Sequence, residues 1–438
     1  MPTYEFHTLG CKVNQYESEA MEALLRQHGY REAAGEPADL YVINTCTVTH
    51  VSDRKSRQQI RRMKRENPDA VVAVVGCYSQ VAPEAVEALD EVDVLMGTKG
   101  RAKLPELVEA FQQTGERQVL LTDLDQDRAF DALEISGGLE TTRAAIKIQE
   151  GCDRYCTYCI IPYARGHIAS RPLDDIVREA ERLVQNGFKE LVLTGIHVAS
   201  YGKEERDASR RHDLLDVIEA VGRVAGVERI RLSSMEPRWV TPERLERLRA
   251  IPAFCPHFHL SLQSGSDRIL EKMNRAYTTE LYREKVAEIR RVFPEAGLTT
   301  DVIVGFPEET EADFRDTMDF CQEIGFSRMH IFPFSPREGT PAALFEGQVD
   351  PWVKKERARR LAEVEEALRY GFMDRAVGQV EEVLIEGGEE ERREGYTRNY
   401  LRVAVPGDVS LVNTVQWVCI VAREGDVLKG EILEATQL

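Results

Sequence analysis

No apolar run in this sequence approaches the length of a membrane span. The longest, such as Val71 to Val75, fall far below the ~20 residues a transmembrane helix needs. An N-terminal apolar stretch of signal-peptide type is missing too, so a cytoplasmic protein without membrane association is expected. Positive charge is in deficit. With 57 Lys and Arg against 75 Asp and Glu, the formal charge is −18, which argues against generic nucleic-acid binding because phosphate contacts need cations. Any RNA partner must therefore meet a local basic patch. The nine cysteines are odd in number and partly clustered, a pattern that suits a reducing compartment and metal ligation better than disulfides.

The densest cluster lies in Gly151 to Gly166, GCDRYCTYCIIPYARG, which places Cys152, Cys156 and Cys159 within eight residues and Tyr158 just before the last. Thiolates hold iron–sulfur clusters, and three of them leave one iron of a 4Fe-4S cube open. Structural zinc normally takes four ligands in paired C-x2-C knuckles, and no second knuckle lies nearby. Zinc and inert core cysteines stand as the alternatives.

At 438 residues the chain calls for two or three domains. Residues 1–125 alternate short apolar runs with amphipathic ones, the pattern of a parallel α/β sheet covered on both faces. Cys11, Cys46 and Cys77 each fall one to three residues past a predicted strand, and ligands of such sheets gather at the carboxyl ends of strands. They form a second expected three-cysteine site, with Gly10 and Gly76 allowing close backbone approach; three buried small hydrophobes are the plainer reading. Between them, Asp53 to Arg65 carries Arg54, Lys55, Arg57, Arg61, Arg62, Lys64 and Arg65. This run reads either as a solvated helix face or as a phosphate-binding surface. Residues 111–142 are polar and turn-rich and read as a linker.

Alternation restarts in residues 140–370 and runs through six strand–helix units, so a partial (β/α)6 barrel open on one side is expected, with its site at the carboxyl ends of the strands. Trp352 to Arg375 reads as a charged helix leading away from it. Residues 374–438 change to short strands with Gly-rich turns, a small antiparallel β-barrel. The fold class is α/β throughout the first two parts.

The C-x3-C-x2-C loop resembles the signature of radical S-adenosylmethionine enzymes. TLGCKVNQYES, INTCTVT, KSRQQIRR and VVGCY resemble the amino-terminal domain of the methylthiotransferases, and GYTRNYLRV and GDVLKGEI resemble a TRAM RNA-binding domain. The resemblance covers essentially the full chain. It implies two 4Fe-4S clusters, one on Cys152, Cys156 and Cys159 and an auxiliary one on Cys11, Cys46 and Cys77, together with S-adenosylmethionine. Tyr158, Gly195, Ser234, Glu236 and Gln263 would bind the cofactor, with Val304, Gly305 and Phe334 flanking its adenine. It also implies that the substrate is the anticodon stem-loop of tRNA, met by Arg54, Lys55, Arg57, Arg61 and Arg62 and by Tyr396, Arg398 and Tyr400, whose rings and cations suit single-stranded RNA. A reductant such as a flavodoxin-type protein would supply electrons.

The implied reaction places a methylthio group at C2 of N6-threonylcarbamoyladenosine at position 37. Two further substrates known in the family are isopentenyladenosine and a ribosomal-protein aspartate. A rival from another class is an RNA-binding protein with purely structural metal centres.

Overall fold

The computed structural model describes residues 1–133, 142–207, 209–389 and 391–434. Six strands open the chain: β1 Thr3–Thr8, β2 Arg31–Glu32, β3 Leu40–Thr45, β4 Val71–Gly76, β5 Val94–Met96 and β6 Gln118–Leu120. They form one parallel sheet in the order β2-β1-β3-β4-β5-β6. β3 and β4 are buried along their whole length, as their nearly unbroken apolar runs demand of strands covered on both faces. Helix α1, Lys12–Gln27, and the helix Leu104–Thr114 cover one face through Met21, Leu25, Leu104 and Val108. Helix α2, His50–Glu66, covers the other through Ile60 and Met63.

Two boundaries differ from the sequence reading. α1 begins at Lys12 rather than Glu17, because Asn14 and Glu17 are polar yet buried, which breaks the apolar period that marks a helix. β6 lies within the expected linker, whose residues 134–141 are outside the described residues.

The middle of the chain supplies β7 Arg143–Glu150, β8 Ala169–Ser170, β9 Glu190–Gly195, β10 Arg229–Leu232, β11 His257–His259, β12 Gly297–Val304 and β13 Arg328–Pro333. Apart from the antiparallel two-residue β8, these are the six expected parallel strands. β9 lies between β7 and β10, and β12 between β11 and β13. β10 and β11 meet only through the bridges Ile230↔Phe254 and Met235↔Leu260. The sheet curves into a partial barrel whose outer face is packed by helices such as Leu173–Gln185 and Glu311–Ile324.

The N-terminal unit touches both ends of this open sheet. Lys147 on β7 pairs with Glu17 at 2.7 Å, and Arg337, just past β13, pairs with Asp53 at 2.7 Å and donates to Thr47 Oγ1 at 2.6 Å.

A 25-residue helix, Pro351–Arg375, connects to β14 Val380–Glu389, β15 Arg392–Thr397, β16 Arg402–Pro406, β17 Val415–Glu424 and β18 Val427–Ile432. These close a barrel in the order β14-β15-β16-β18-β17. Its pairs are antiparallel except β16 with β18. β15, RREGYT, escapes the sequence reading because charged residues and a glycine hide its alternation. Among the described residues no helix is long and apolar enough to cross a membrane.

Candidate active site

Both cysteine trios lie where parallel strands end. Cys11, Cys46 and Cys77 follow β1, β3 and β4, which are consecutive in the sheet with β3 in the middle. Gly10 and Gly76 hold φ of +110° and +102°, and a Cβ on Gly10 would stand 2.9 Å from Cys46 Cβ. Only glycine fits there, and its lack of a side chain lets two strand ends converge. Burial pushes the Cys77 thiol up to about 11 and raises that of Cys46 as well, with the neighbouring thiols adding to both shifts. The three sulfurs therefore act on one another.

The guanidinium of Arg165 faces this trio. Its Nε donates to Cys77 Sγ at 3.1 Å, while its terminal nitrogens reach Glu17 at 2.6 Å, Glu150 at 2.9 Å and Asn14 Oδ1 at 2.5 Å. Lys147 completes the network at 2.7 Å from both Glu17 and Glu150. All of these side chains are buried. Charges placed so deeply are stable only when fully paired, so the network ties the N-terminal sheet to the barrel in one geometry. Arg165 lies six residues past Cys159; the loop that carries one trio thus supplies the cation that faces the other.

Cys152, Cys156 and Cys159 follow β7. The loop is held by Cys152 N donating to Gly166 O and Cys159 N to Cys156 O, at 3.0 and 2.9 Å, and a Cβ on Gly151 would overlap the His167 carbonyl. Burial pushes Cys159 up to about 12 and Cys152 to about 11. Arg275 donates to Cys156 Sγ at 3.2 Å and lies over the Tyr277 ring at 4.9 Å. Arg275 carries no sequence signal of its role, since it is one of many arginines on helix-rich stretches.

The donor geometry separates the two metal readings. Among the described residues, the one group of three His, Cys, Asp or Glu donors within 4.8 Å of one another is His259, Asp301 and His330. Neither cysteine trio is that compact. A tetrahedral zinc, with Zn–S about 2.3 Å, would need sulfurs about 3.8 Å apart. Two wider, all-thiol sets, each faced by a guanidinium, fit an anionic iron–sulfur cluster instead.

The rim residues divide. Glu236 sits among Arg154, His197 at 3.6 Å and Arg275 at 3.9 Å. Burial opposes its ionisation, but these partners hold its carboxyl down at about 2. Gln263 takes a left-handed φ of +69°, a strained state for a residue with a side chain, and is fixed there by Asp301 O and Ile303 N at 2.9 Å. Ser234 is exposed, Gly195 half-buried, and Tyr158 packs against the Phe306–Phe334 cluster.

The three residues expected to flank an adenine are engaged by the protein itself. Val304 is turned into the helix-side core, Phe334 is 5% exposed and edge-on to Phe306 at 5.3 Å, and a Cβ on Gly305 would collide with Lys354. The reason is the helix Pro351–Arg375, which does not simply leave the barrel. It crosses the end of β12 and places Lys354 Nζ 3.1 Å from Phe334 O.

Of the expected RNA contacts, Arg54 and Lys55 are exposed on α2 with no ion pair among the described residues. Arg57 donates to Tyr78 OH at 2.7 Å beside Cys77, and Arg61 and Arg62 form loose exposed pairs with Glu91 and Glu66 at 3.9 Å. Tyr396, Arg398 and Tyr400 depart from expectation. They pack on the amino-terminal end of the sheet: Arg231 lies 4.4 Å over the Tyr400 ring, Arg143 5.0 Å over Tyr396, and Arg398 donates to Pro252 O and Phe254 O. Their aromatic and cationic character serves a domain contact, a use that composition cannot distinguish from RNA stacking.

Residues 146–321 match the Radical SAM superfamily, and residues 3–97 match a family described as Uncharacterized protein family UPF0004. A radical S-adenosylmethionine methyltransferase, TsrM from Kitasatospora setae, solved with cobalamin and a 4Fe-4S cluster, superposes with TM-score 0.59 at 17% identity over 78% of this chain and 77% of that one; this likeness shows the fold alone. The threonylcarbamoyladenosine tRNA methylthiotransferase MtaB of Bacillus subtilis is 41% identical, covering 100% of this chain and 98% of the relative. A tRNA-2-methylthio-N(6)-dimethylallyladenosine synthase of Moorella thermoacetica is 38% identical over 99% and 98%. The Radical SAM match and the full-length relatives thus define a radical S-adenosylmethionine enzyme. Within that class, the chain belongs to the methylthiotransferase family.

Proposed function

We propose that this protein is a cytoplasmic tRNA methylthiotransferase acting at C2 of N6-threonylcarbamoyladenosine in position 37 of the anticodon loop. The observation that carries the reaction type is the pair of three-cysteine sites joined through Arg165. The 41% identity to a threonylcarbamoyladenosine enzyme supports the substrate, and the 38% identity to a dimethylallyladenosine synthase makes isopentenyladenosine the second reading.

The cofactors are S-adenosylmethionine and two 4Fe-4S clusters, which when bound supply radical hydrogen abstraction and the sulfur. Cys152, Cys156 and Cys159 would hold one cluster and Cys11, Cys46 and Cys77 the other. Glu236 is kept ionised by Arg154, His197 and Arg275, so it would accept a hydrogen bond from the amino group of S-adenosylmethionine. Arg165 and Arg275 offset thiolate charge at Cys77 and Cys156. The buried Glu17–Arg165–Glu150–Lys147 network sets the separation of the two sites, and positioning dominates a reaction that needs both at one carbon. Arg54 and Lys55 offer phosphate contacts on α2, and the residue ranges 1–125, 140–370 and 374–438 act as the three functional units. A flavodoxin-type protein is the proposed electron donor.

The test is anaerobic turnover of the reconstituted enzyme with S-adenosylmethionine, reductant and tRNA lacking the C2 modification, followed by nucleoside mass spectrometry. A methylthio gain on threonylcarbamoyladenosine is expected. A gain confined to isopentenyladenosine would transfer the assignment to the second reading, and 5′-deoxyadenosine without a modified nucleoside would overturn the RNA substrate.

A further inference from the structure

Three apolar side chains at the gap between the N-terminal sheet and the barrel stay in contact with solvent. Val48, just before α2, and Val51, in its first turn, are 52% and 51% exposed, and Phe332, near the end of β13, is 46% exposed. Single exposed apolar residues are ordinary on a folded protein. These three are drawn to one place by polar ties between their own segments. Arg337 reaches from the chain just past β13 to Thr47 Oγ1 at 2.6 Å and to Asp53 Oδ2 at 2.7 Å, and His50 N stands 3.4 Å from Ser335 Oγ. Thr47 directly precedes Val48, His50 directly precedes Val51, and Ser335 lies three residues past Phe332.

The direction in which Phe332 points follows from its strand. Met329 is buried in the helix-side core and Ile331 packs against it, so by alternation Phe332 points into the barrel interior. Its partner across the strands, Ile303, packs in the cluster of Tyr158, Phe306 and Phe334. Tyr158 belongs to the loop of Cys152, Cys156 and Cys159, whereas Thr47 and Val48 directly follow Cys46. Phe332 thus has the loop trio on one side and a member of the strand-end trio on the other. A carbon on which both sites act must lie in that interval.

Helix α2 brings a second chemistry to the same place. Val51, Arg54 and Lys55 are spaced i, i+3 and i+4, so they share one helix face, and all three are exposed. The buried face is taken by Asp53, Ser56, Ile60 and Met63. Two cations therefore stand about one turn along the helix from an apolar contact. A flat heterocycle joined to an anionic backbone matches this juxtaposition, with the ring on Val48, Val51 and Phe332 and the phosphate on Arg54 and Lys55.

We infer that Phe332, Val48 and Val51 form the slot that receives the target adenine once it has left the RNA stack, and that Arg54 and Lys55 hold phosphate of the same stretch of strand. The inference rests on the RNA adenosine substrate proposed above and is indifferent to the N6 substituent. An enzyme acting on a ring carbon must take the base out of its stack, and it repays the lost stacking with aromatic and apolar side chains of its own. Here those side chains come from both domains, so the slot exists only while the N-terminal sheet and the barrel are held together by Arg337, Thr47 and Asp53.

The test uses the enzyme carrying both clusters and two synthetic anticodon stem-loops, one with adenosine at position 37 and one abasic there. Affinity is read by anisotropy, and turnover on a loop bearing the N6-modified adenosine is resolved into kcat and KM. Wild type is expected to bind the adenosine loop more tightly than the abasic one. Phe332→Leu should shrink that ratio about fivefold or more, the scale of one base–aromatic stack, and raise KM; Phe332→Tyr should restore both, and Val51→Ser should shrink the ratio by a smaller factor. Arg54→Ala with Lys55→Ala should weaken binding of both loops alike and keep the ratio of wild type, since an abasic nucleotide retains its phosphate. Electron paramagnetic resonance checks that each variant holds both clusters. A wild-type ratio in both Phe332→Leu and Val51→Ser, in an enzyme that still methylthiolates RNA, would overturn the slot and leave the function standing. Loss of S-adenosylmethionine affinity in Phe332→Leu with the ratio unchanged would overturn it as well, by placing that ring in the cofactor site. Failure of the wild type to modify any RNA adenosine would overturn the function itself, and the slot with it.

Discussion

Cys152, Cys156 and Cys159 come from one loop after one strand, whereas Cys11, Cys46 and Cys77 are gathered from three strand ends 35 and 31 residues apart. The first site takes all three thiols from β7 and its loop, with Arg275 and the Met273 carbonyl bracing that loop from one distant segment. The second needs the whole parallel sheet, two left-handed glycines and an arginine contributed by the barrel. The thiols of the loop site are thus brought together by the local chain, while those of the strand-end site are brought together only by the tertiary fold. Loosening the contact between the N-terminal sheet and the barrel should damage the second before the first.

Removing one thiol from each site should have the largest effect. Cys156→Ala should abolish 5′-deoxyadenosine formation and therefore all product, whereas Cys46→Ala should lose methylthiolation while cleavage of S-adenosylmethionine continues uncoupled. Chromatographic quantitation of 5′-deoxyadenosine and modified nucleoside decides it, and equal loss of both in the two variants would deny the sites separate roles.

Next in size is Arg165→Met. It leaves Glu17 and Glu150 short of a buried partner, with Lys147 and Arg101 remaining, and removing one member of such a network costs about 3–5 kcal/mol. Urea unfolding should show that loss. Iron analysis with electron paramagnetic resonance should show the cluster at Cys11, Cys46 and Cys77 depleted first. Depletion of the loop cluster alone would reverse the order of fragility.

Glu236 probes the loop side through pH. Its carboxyl is held at about 2 against an ordinary value of 4.5, so its ionised form contributes stability above about pH 4.5 that is lost as pH falls toward 2. The shift corresponds to about 3 kcal/mol. Glu236→Gln should be less stable than wild type near neutrality, with the gap closing as the urea midpoint is followed from pH 5 toward pH 3. A gap constant over that range would mean the carboxylate is not held by its three partners.

The smallest effect belongs to α2. Arg54→Ala with Lys55→Ala should weaken tRNA binding and lower the slope of log affinity against log salt by about 0.7–0.9 for each phosphate no longer neutralised, measured by filter binding at several salt concentrations. Unchanged slope would return this helix to a solvated face.

Legibility in the sequence followed the range of the interactions involved. The loop trio was plain because C-x3-C-x2-C is contiguous, and the strand-end trio could be read because each cysteine follows an apolar run that specifies a buried parallel strand. Arg275, Lys147 and Glu150 were invisible as site residues, since nothing local distinguishes an arginine that will face a thiol from one that will face water. Tyr396, Arg398 and Tyr400 misled for the complementary reason. Aromatic rings flanking a cation fit an RNA base and also fit Arg143 and Arg231 at the base of the barrel. Gly305 was expected beside an adenine, but the group that approaches it is Lys354 of a helix whose path the sequence does not show.

Apolar periodicity and short ligand spacings are properties of neighbouring residues. The parallel sheet, the half-barrel and the two groups of cysteines were therefore legible in the sequence, while the class of chemistry entered through the family resemblance. Which charges are paired and which stand free was settled only by folding. It bound Arg165 to Cys77 and turned Tyr396 and Tyr400 of the last barrel onto Arg143 and Arg231 of the central sheet. Those outcomes depend on Coulomb and desolvation energies between groups far apart in the chain, which no local pattern encodes.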